Sequence, residues 1–295
     1  MKYLGKKIII IDNSNLSYSG DDLNGAIIRG TETSLILLAE QFVKMGIEVD
    51  YCNCIEIIKK VNGVNYFNKD NINMSKIYDL AIAISDANEF KRVSSIKKAI
   101  FSNSNQPFEK FIRKKQLIPF LKYKPTLITL CDYQFKERSF FTSFYGKKTI
   151  PITVDPKFLN IKIDKNHLPE RKVVYNIRSN RNLNLLIKIW CEKIYPINKE
   201  FKLYITPGLL EYNDYHLKNN IFLRTIGSRS EMIDELKNYR ALTYLGHKSD
   251  IFTLTAEEAI KLCLPVVTLG IGSLKERVTH MQTGFIAKNE QEFAN

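Results

Sequence analysis

Two carboxylates stand eight positions apart near the end of the chain, in Ser249-Asp250-Ile251-Phe252-Thr253-Leu254-Thr255-Ala256-Glu257-Glu258-Ala259. The polar start of this stretch reads as a loop and the remainder as the opening of a helix. Asp250 therefore falls in the loop and Glu258 in the opening turn, ahead of the apolar strand that includes Leu264-Pro265-Val266-Val267. A loop-to-helix junction gathers free backbone N–H groups and the positive end of the helix dipole. Such N–H groups suit phosphate oxygens, and carboxylates suit sugar and ribose hydroxyls, so the chemistry fits binding of a nucleotide sugar. A plain structural role competes with it: Thr255-x-x-Glu258 matches a capping box, in which Glu258 would satisfy the first N–H groups of its own helix.

The elements that must position these residues alternate along the chain. Ile8–Ile11 reads as a fully buried strand, followed by a polar loop from Asp12 to Gly30. Leu35, Leu38, Ala39 and Phe42 then fall at helical spacing, and Gly46 ends that helix before a strand at 47–51. Further strands are expected at 78–84, 98–101, 126–130 and 148–152. From Asp155 to Arg171 the pattern breaks around Pro156 and Pro169, and it resumes with strands at 172–175, 201–205, 221–223, 241–245 and 265–268. Helices are expected at 183–193, at 231–238 and around Glu258. The alternation predicts an α/β fold of two Rossmann-like domains facing each other across a cleft, with ligand at the carboxyl ends of the strands. The boundaries follow: residues 1–155, a linker at 156–171, and residues 172–295.

The composition narrows the function classes. With 295 residues, 44% hydrophobic and 25% charged, the chain suits two globular domains rather than a disordered segment. No apolar run approaches the roughly 18 residues of a spanning helix. The start, Met1 to Lys7, runs directly into Ile8–Ile11 without a signal-peptide pattern, so a cytoplasmic protein is expected. The five cysteines are scattered, and Cys52 and Cys54 lack a second pair or a nearby His, so no metal site is expected. No Asp-x-Asp triplet occurs. The net charge of +13 admits nucleic acid, anionic lipid or an anionic substrate. No basic-aromatic nucleic-acid motif accompanies it, so a small phosphorylated ligand is the preferred partner and nucleic acid is not expected.

Several landmarks, in order, resemble those of the GT-B retaining glycosyltransferases of family 4 (group 1). Asp250-x7-Glu258-Ala259 resembles their E-x7-E-A signature, with Asp in place of the first Glu. Pro265-Val266-Val267, Gly272-Ser273-Leu274-Lys275-Glu276 and Thr283-Gly284-Phe285 resemble G-x-P-V-V, G-G-x-x-E and T-G-F. Gly30-Thr31-Glu32-Thr33 looks like the G-G-x-E loop, with Arg29 in place of the first Gly. Ile150 to Phe158 resembles the I-P-N-G-V-D-x-x-x-F segment. Arg178-Ser179-Asn180-Arg181-Asn182-Leu183 resembles the G-R-x(n)-K-G/N-L turn.

By this resemblance, Asp250 would hold a hydroxyl of the transferred sugar, Phe252, Thr253, Leu254 and Thr255 would line sugar and phosphate, and Glu258 would take the ribose hydroxyls. Arg178 or Arg181 would neutralise the donor diphosphate, with Arg181 favoured because it directly precedes Asn-Leu. Gly30 would approach the donor phosphates, and Arg29, Glu32 and Asn103 would lie on the acceptor side, Ser102-Asn103 standing about where relatives place a His. The chain ends soon after Phe285, short of the family's further helices, so a compact or truncated second domain is expected.

The activity implied is retaining, metal-independent transfer, without a cofactor, from a nucleoside-diphosphate sugar to a glycan, a lipid-linked acceptor or another hydroxyl, as in cell-surface polysaccharide or glycolipid synthesis. Two other readings fit the same residues: a non-catalytic nucleotide-sugar-binding subunit, and a GT-B sugar-nucleotide epimerase. Residues 108–124 mix aromatic and basic side chains, which fits contact with an anionic membrane at its inner face, or else a Pro-interrupted core helix.

Overall fold

A computed structural model describes residues 3–295 apart from 26, 27, 29, 106, 138, 139, 160, 162–167, 179, 209, 210 and 226. The chain forms two compact units, Met1–Thr153 and Val154–Asn295.

In the first unit, β1 (Lys7–Ile11) lies at the centre of the sheet with all four of its isoleucines buried. A strand flanked by parallel neighbours is covered on both faces, which is why it is apolar throughout. Helix α1 (Gly30–Lys44) follows and turns Leu35, Ile36 and Ala39 inward, with Ile36 taking the place expected for Leu38. After it come β2 (Glu48–Asn53), β3 (Lys59–Val61), β4 (Val64–Asn68), β5 (Ile77–Ile84) and β6 (Ser94–Phe101). Helices α2 (Phe108–Arg113) and α3 (Leu117–Tyr123) precede β7 (Thr126–Thr129) and β8 (Lys147–Thr149). The strand order is β3-β4-β2-β1-β5-β6-β7-β8, with only β3 antiparallel to its neighbour. The β3–β4 hairpin was not anticipated. Its signal is Asn62-Gly63, both in the left-handed region (φ 48° and 85°), the backbone of a tight hairpin turn.

The segment read as one Pro-interrupted helix is two. Lys115 adopts φ 54° between them, and Pro119 sits near the start of α3, where its missing N–H is tolerated. Phe111 and Phe120 stack edge to face with centroids 5.3 Å apart and are buried with Phe90 and Leu127.

The second unit begins with Val154 and Phe158, both buried in its core. Its sheet comprises β9 (Lys172–Tyr175), β10 (Lys202–Ile205), β11 (Ile221–Leu223), β12 (Ala241–Thr243), β13 (Val266–Thr268) and β14 (Gly284–Ile286). The order β11-β10-β9-β12-β13-β14 is wholly parallel. Numbered from β9, it is the 3-2-1-4-5-6 order of a Rossmann sheet, with its reversal between β9 and β12. Helix α4 (Leu183–Ile189) follows β9, α5 (Arg229–Leu236) follows β11, and α6 (Leu254–Lys261) follows β12. The helix expected over 183–193 passes into a π-helical turn at Trp190–Ile194, and β14 was not anticipated.

Candidate donor site at the strand reversal

The loops leaving the carboxyl ends of β9 and β12 carry Arg178, Arg181 and Asp250, and these strands are the pair where the order reverses. The hydroxyl of Tyr175, the last residue of β9, lies 2.7 Å from the carbonyl oxygen of Arg178 and 2.9 Å from that of Arg181, holding the turn between them. Asn182 occupies the left-handed region (φ 60°), and its Nδ2 donates to the carbonyl of Gly246 at 2.5 Å, joining the two loops.

Asp250 is committed on both oxygens. Oδ1 lies 3.2 Å from Nε of Arg181, and Oδ2 accepts the hydroxyl of Tyr244. Arg181 also reaches His247, with Nη1 3.1 Å from Nδ1, and the same ring nitrogen accepts the N–H of Ser249 at 3.1 Å. Two donors on Nδ1 place the proton of the neutral ring on Nε2. Burial pushes the Asp250 carboxyl above the ordinary aspartate range, although Tyr244, Arg181 and His247 pull it down. Arg178 differs: it is exposed, and its guanidinium has no hydrogen bond or ion pair among the described residues.

The loop before α6 is locked from beneath. Gly272 (φ 73°) brings its backbone so close that a Cβ there would meet the His247 carbonyl oxygen at 2.4 Å, and the N–H of Ser273 donates to the Asp250 carbonyl at 3.0 Å. The hydroxyls of Thr253 and Ser273 lie 3.1 Å apart, and the Phe252 ring lies under the Arg277 guanidinium at 4.5 Å. Thr253 is the N-cap, so Leu254 and Thr255 are the first two helical residues and Glu258 lies in the second turn, not the opening one. Glu258 therefore does not close a capping box with Thr255. Its carboxylate turns to Arg229, whose Nη2 lies 2.5 Å from Oε1. Nε of Arg229 sits 3.3 Å from Oδ2 of Asp155. Burial raises the Glu258 pKa to about 6, with Arg229 lowering it and Asp155 raising it.

In the first unit, donor-side Gly30 and acceptor-side Glu32 lie at a helix opening, and acceptor-side Asn103 lies at a carboxyl strand end. Gly30 opens α1, its carbonyl accepting the Ser34 hydroxyl at 2.8 Å, and Glu32 is buried in the first turn. Arg29 lies outside the described residues. Asn103 follows β6 and is exposed, its Oδ1 accepting the hydroxyl of Ser85 at 2.6 Å and its backbone N–H donating to Oγ of Ser85 at 3.1 Å. Ser85 follows β5 and holds a left-handed backbone, φ 56°.

Sequence reasoning assigned no role to Tyr244, His247, Asp155 or Ser85, and it did not pair Arg229 with Glu258. Arg181 lies 66 positions from His247 and Asp155 far from Arg229, whereas Tyr244 meets Asp250 only six positions on; none of these pairings is announced by a recognised motif.

No protein-family model matches the chain, and no curated protein matches its sequence. Solved structures do. The chain resembles sucrose-phosphate synthase from Thermosynechococcus elongatus at 13% identity, covering 98% of this chain and 88% of that one with a TM-score of 0.68. It resembles TarM at 12% identity, covering 99% and 91%, TM-score 0.68. The fold is that of the GT-B glycosyltransferases. Anabaena HepE, solved with UDP and glucose, aligns at 14% identity over 98% of this chain and 88% of its own, TM-score 0.65.

Proposed function

We propose that the chain is a retaining glycosyltransferase that takes a sugar from a nucleoside diphosphate. The reading rests chiefly on one contrast at the second unit's carboxyl edge. Arg178 offers an uncommitted cation, and buried Glu258 offers an oxygen, Oε2, that takes no hydrogen bond among the described residues. Arg178 suits the diphosphate, and Glu258 suits the ribose. The charge of Arg181 is already balanced by Asp250, so in this role it would orient Asp250 toward the sugar and add less net attraction for phosphate.

In the reaction, the bond between the anomeric carbon and the β-phosphate oxygen breaks, and the acceptor oxygen bonds to that carbon on the same face. The acceptor proton passes to the departing phosphate, and the nucleoside diphosphate leaves. The fixed cation stabilises charge growing on the leaving group, a contribution of about 3 kcal/mol for one well-placed donor. UDP and glucose, the ligands of HepE, make UDP-glucose the first donor to test. Purified protein that releases UDP from UDP-glucose or another UDP- or GDP-sugar, with the anomeric configuration kept in the product, would meet the expectation. Nucleotide binding without release or transfer would favour the non-catalytic reading, to which the doubly engaged Asp250 lends support. An altered nucleotide sugar as the only product would favour the epimerase.

For the acceptor we propose a lipid-linked or membrane-proximal hydroxyl. Phe108, Ile112, Ile118 and Leu121 are exposed on α2 and α3 beside exposed Arg113, Lys114, Lys115 and Lys122. Apolar side chains with basic neighbours suit an anionic bilayer surface, at about 1 kcal/mol per basic residue. No described helix is long and apolar enough to cross a membrane. Co-flotation with vesicles containing phosphatidylglycerol, abolished by Lys114→Glu with Lys115→Glu, is the expected result. Equal recovery with neutral vesicles would count against charge recognition.

A further inference from the structure

Glu258 is a carboxylate with one hand held. Its side chain is 6% exposed, Oε1 takes Nη2 of Arg229, and Oε2 is left without a hydrogen bond among the described residues yet not sealed from solvent. A buried carboxylate oxygen left unpaired is costly unless water or a ligand completes it. The residue that decides which oxygen stays open is Arg229, itself fixed from several sides. It is the first residue of α5, whose start is set by a reciprocal cap: Ser228 accepts the Glu231 N–H at 3.3 Å, and Glu231 accepts the Ser228 N–H at 2.7 Å. Its guanidinium carbon lies 5.1 Å from the buried Phe158 ring, and its Nε faces Asp155. Asp155 is anchored in turn, its Oδ1 accepting the Lys157 N–H at 2.9 Å.

We infer that Arg229 is a positioning residue for ribose recognition: held by Asp155 and Phe158, it takes one oxygen of Glu258 and leaves the other aimed at the vicinal diol of the nucleotide. The inference rests on the donor reading above and adds the device that makes it selective for ribonucleotides. The cluster holds two carboxylates and one guanidinium. Removing the cation would leave two buried acids together, and Glu258 would protonate and lose its power as a double acceptor. A lysine in its place would keep charge but lose the fork that engages Glu258 and Asp155 at once.

The test is calorimetric binding of UDP and GDP, each with its 2′-deoxy and 3′-deoxy forms. Wild type should prefer the ribonucleotide by about tenfold or more, the worth of one hydrogen bond to a charged group. Arg229→Gln should bring that preference to within about threefold while the deoxy forms bind as before, Arg229→Lys should restore part of it, and Asp155→Asn should fall between. Uniform weakening of all nucleotides with the preference intact would make Arg229 a structural residue only and overturn the inference. Should Arg229→Gln fail to fold, Asp155→Asn carries the test by the same criterion. Failure of the donor reading looks different: wild type would bind neither ribonucleotide, or bind without preference, and the inference would fall with it.

Discussion

The two acids of the second unit sit at either end of one loop-to-helix junction and are treated in opposite ways. Asp250, in the loop, has both oxygens taken, by Arg181 and by Tyr244. Glu258, in the second turn of α6, has one taken by Arg229 and one open. Glu258 is buried and Asp250 half-buried, and both meet a guanidinium; beyond that step in burial, the number of internal partners separates them. A carboxylate with both oxygens engaged is braced by the fold, whereas one with an oxygen unengaged has more capacity for a ligand. The position that carries the shorter acid, Asp250, is also the one whose internal network is complete.

The largest effect expected from breaking this contrast is on stability. Asp250→Ala strands Arg181, which is only 24% exposed, and should cost about 3 kcal/mol in urea unfolding. An unchanged midpoint would show that Asp250 is not the brace proposed here. Glu258→Gln should leave stability at pH 7.5 equal or higher while weakening nucleotide binding about tenfold. The sign follows from linkage. The folded pKa of about 6 exceeds that of an ordinary glutamate, so the neutral carboxyl adds stability fully below the ordinary value and that contribution is lost as pH rises through 6. Removing the charge at neutral pH therefore relieves a cost.

The same raised value gives a pH signature. Affinity for a nucleotide sugar, whose diphosphate has no proton titrating near neutrality, should be flat above pH 7 and fall below about 6 as Glu258 protonates beside Arg229 and Asp155. In Glu258→Gln the fall should vanish; if it persists, another group is responsible. The smallest effect is the most diagnostic of symmetry between the acids. Tyr244→Phe opens Oδ2 of Asp250 and should cost only about 1 kcal/mol of stability, and the variant's rate of UDP-sugar hydrolysis then reports whether an open oxygen there helps or hinders.

Much of the frame was readable from residue types. Four consecutive isoleucines could only be a central strand, and the alternation of apolar runs with helical spacing fixed the α/β class. The β3–β4 hairpin was also written locally, in Asn62-Gly63, and was overlooked because its strands are short and half polar. Among the expected site residues, Arg178, Arg181 and Asp250 come to the carboxyl edge at the strand reversal because the Rossmann order puts the loops after β9 and β12 side by side. The opposite commitments of Arg178 and Arg181 could not be foreseen, since both are arginines in one turn and only the neighbouring loop distinguishes them.

The sequence by itself set the start of α6 too late and left out β3, β4 and β14, but it determined most of the strands and helices and where the loops bearing acids and arginines fall. Those are short-range matters of apolar periodicity, turn chemistry and helix start signals. The tertiary structure alone decided partners: Arg181 with Asp250, and Arg229 with Glu258 and Asp155. Hydrogen bonds and ion pairs depend on ångström-scale distances between residues dozens of positions apart. Only the packing of the strands and their loops sets those distances, and with them which oxygen stays open.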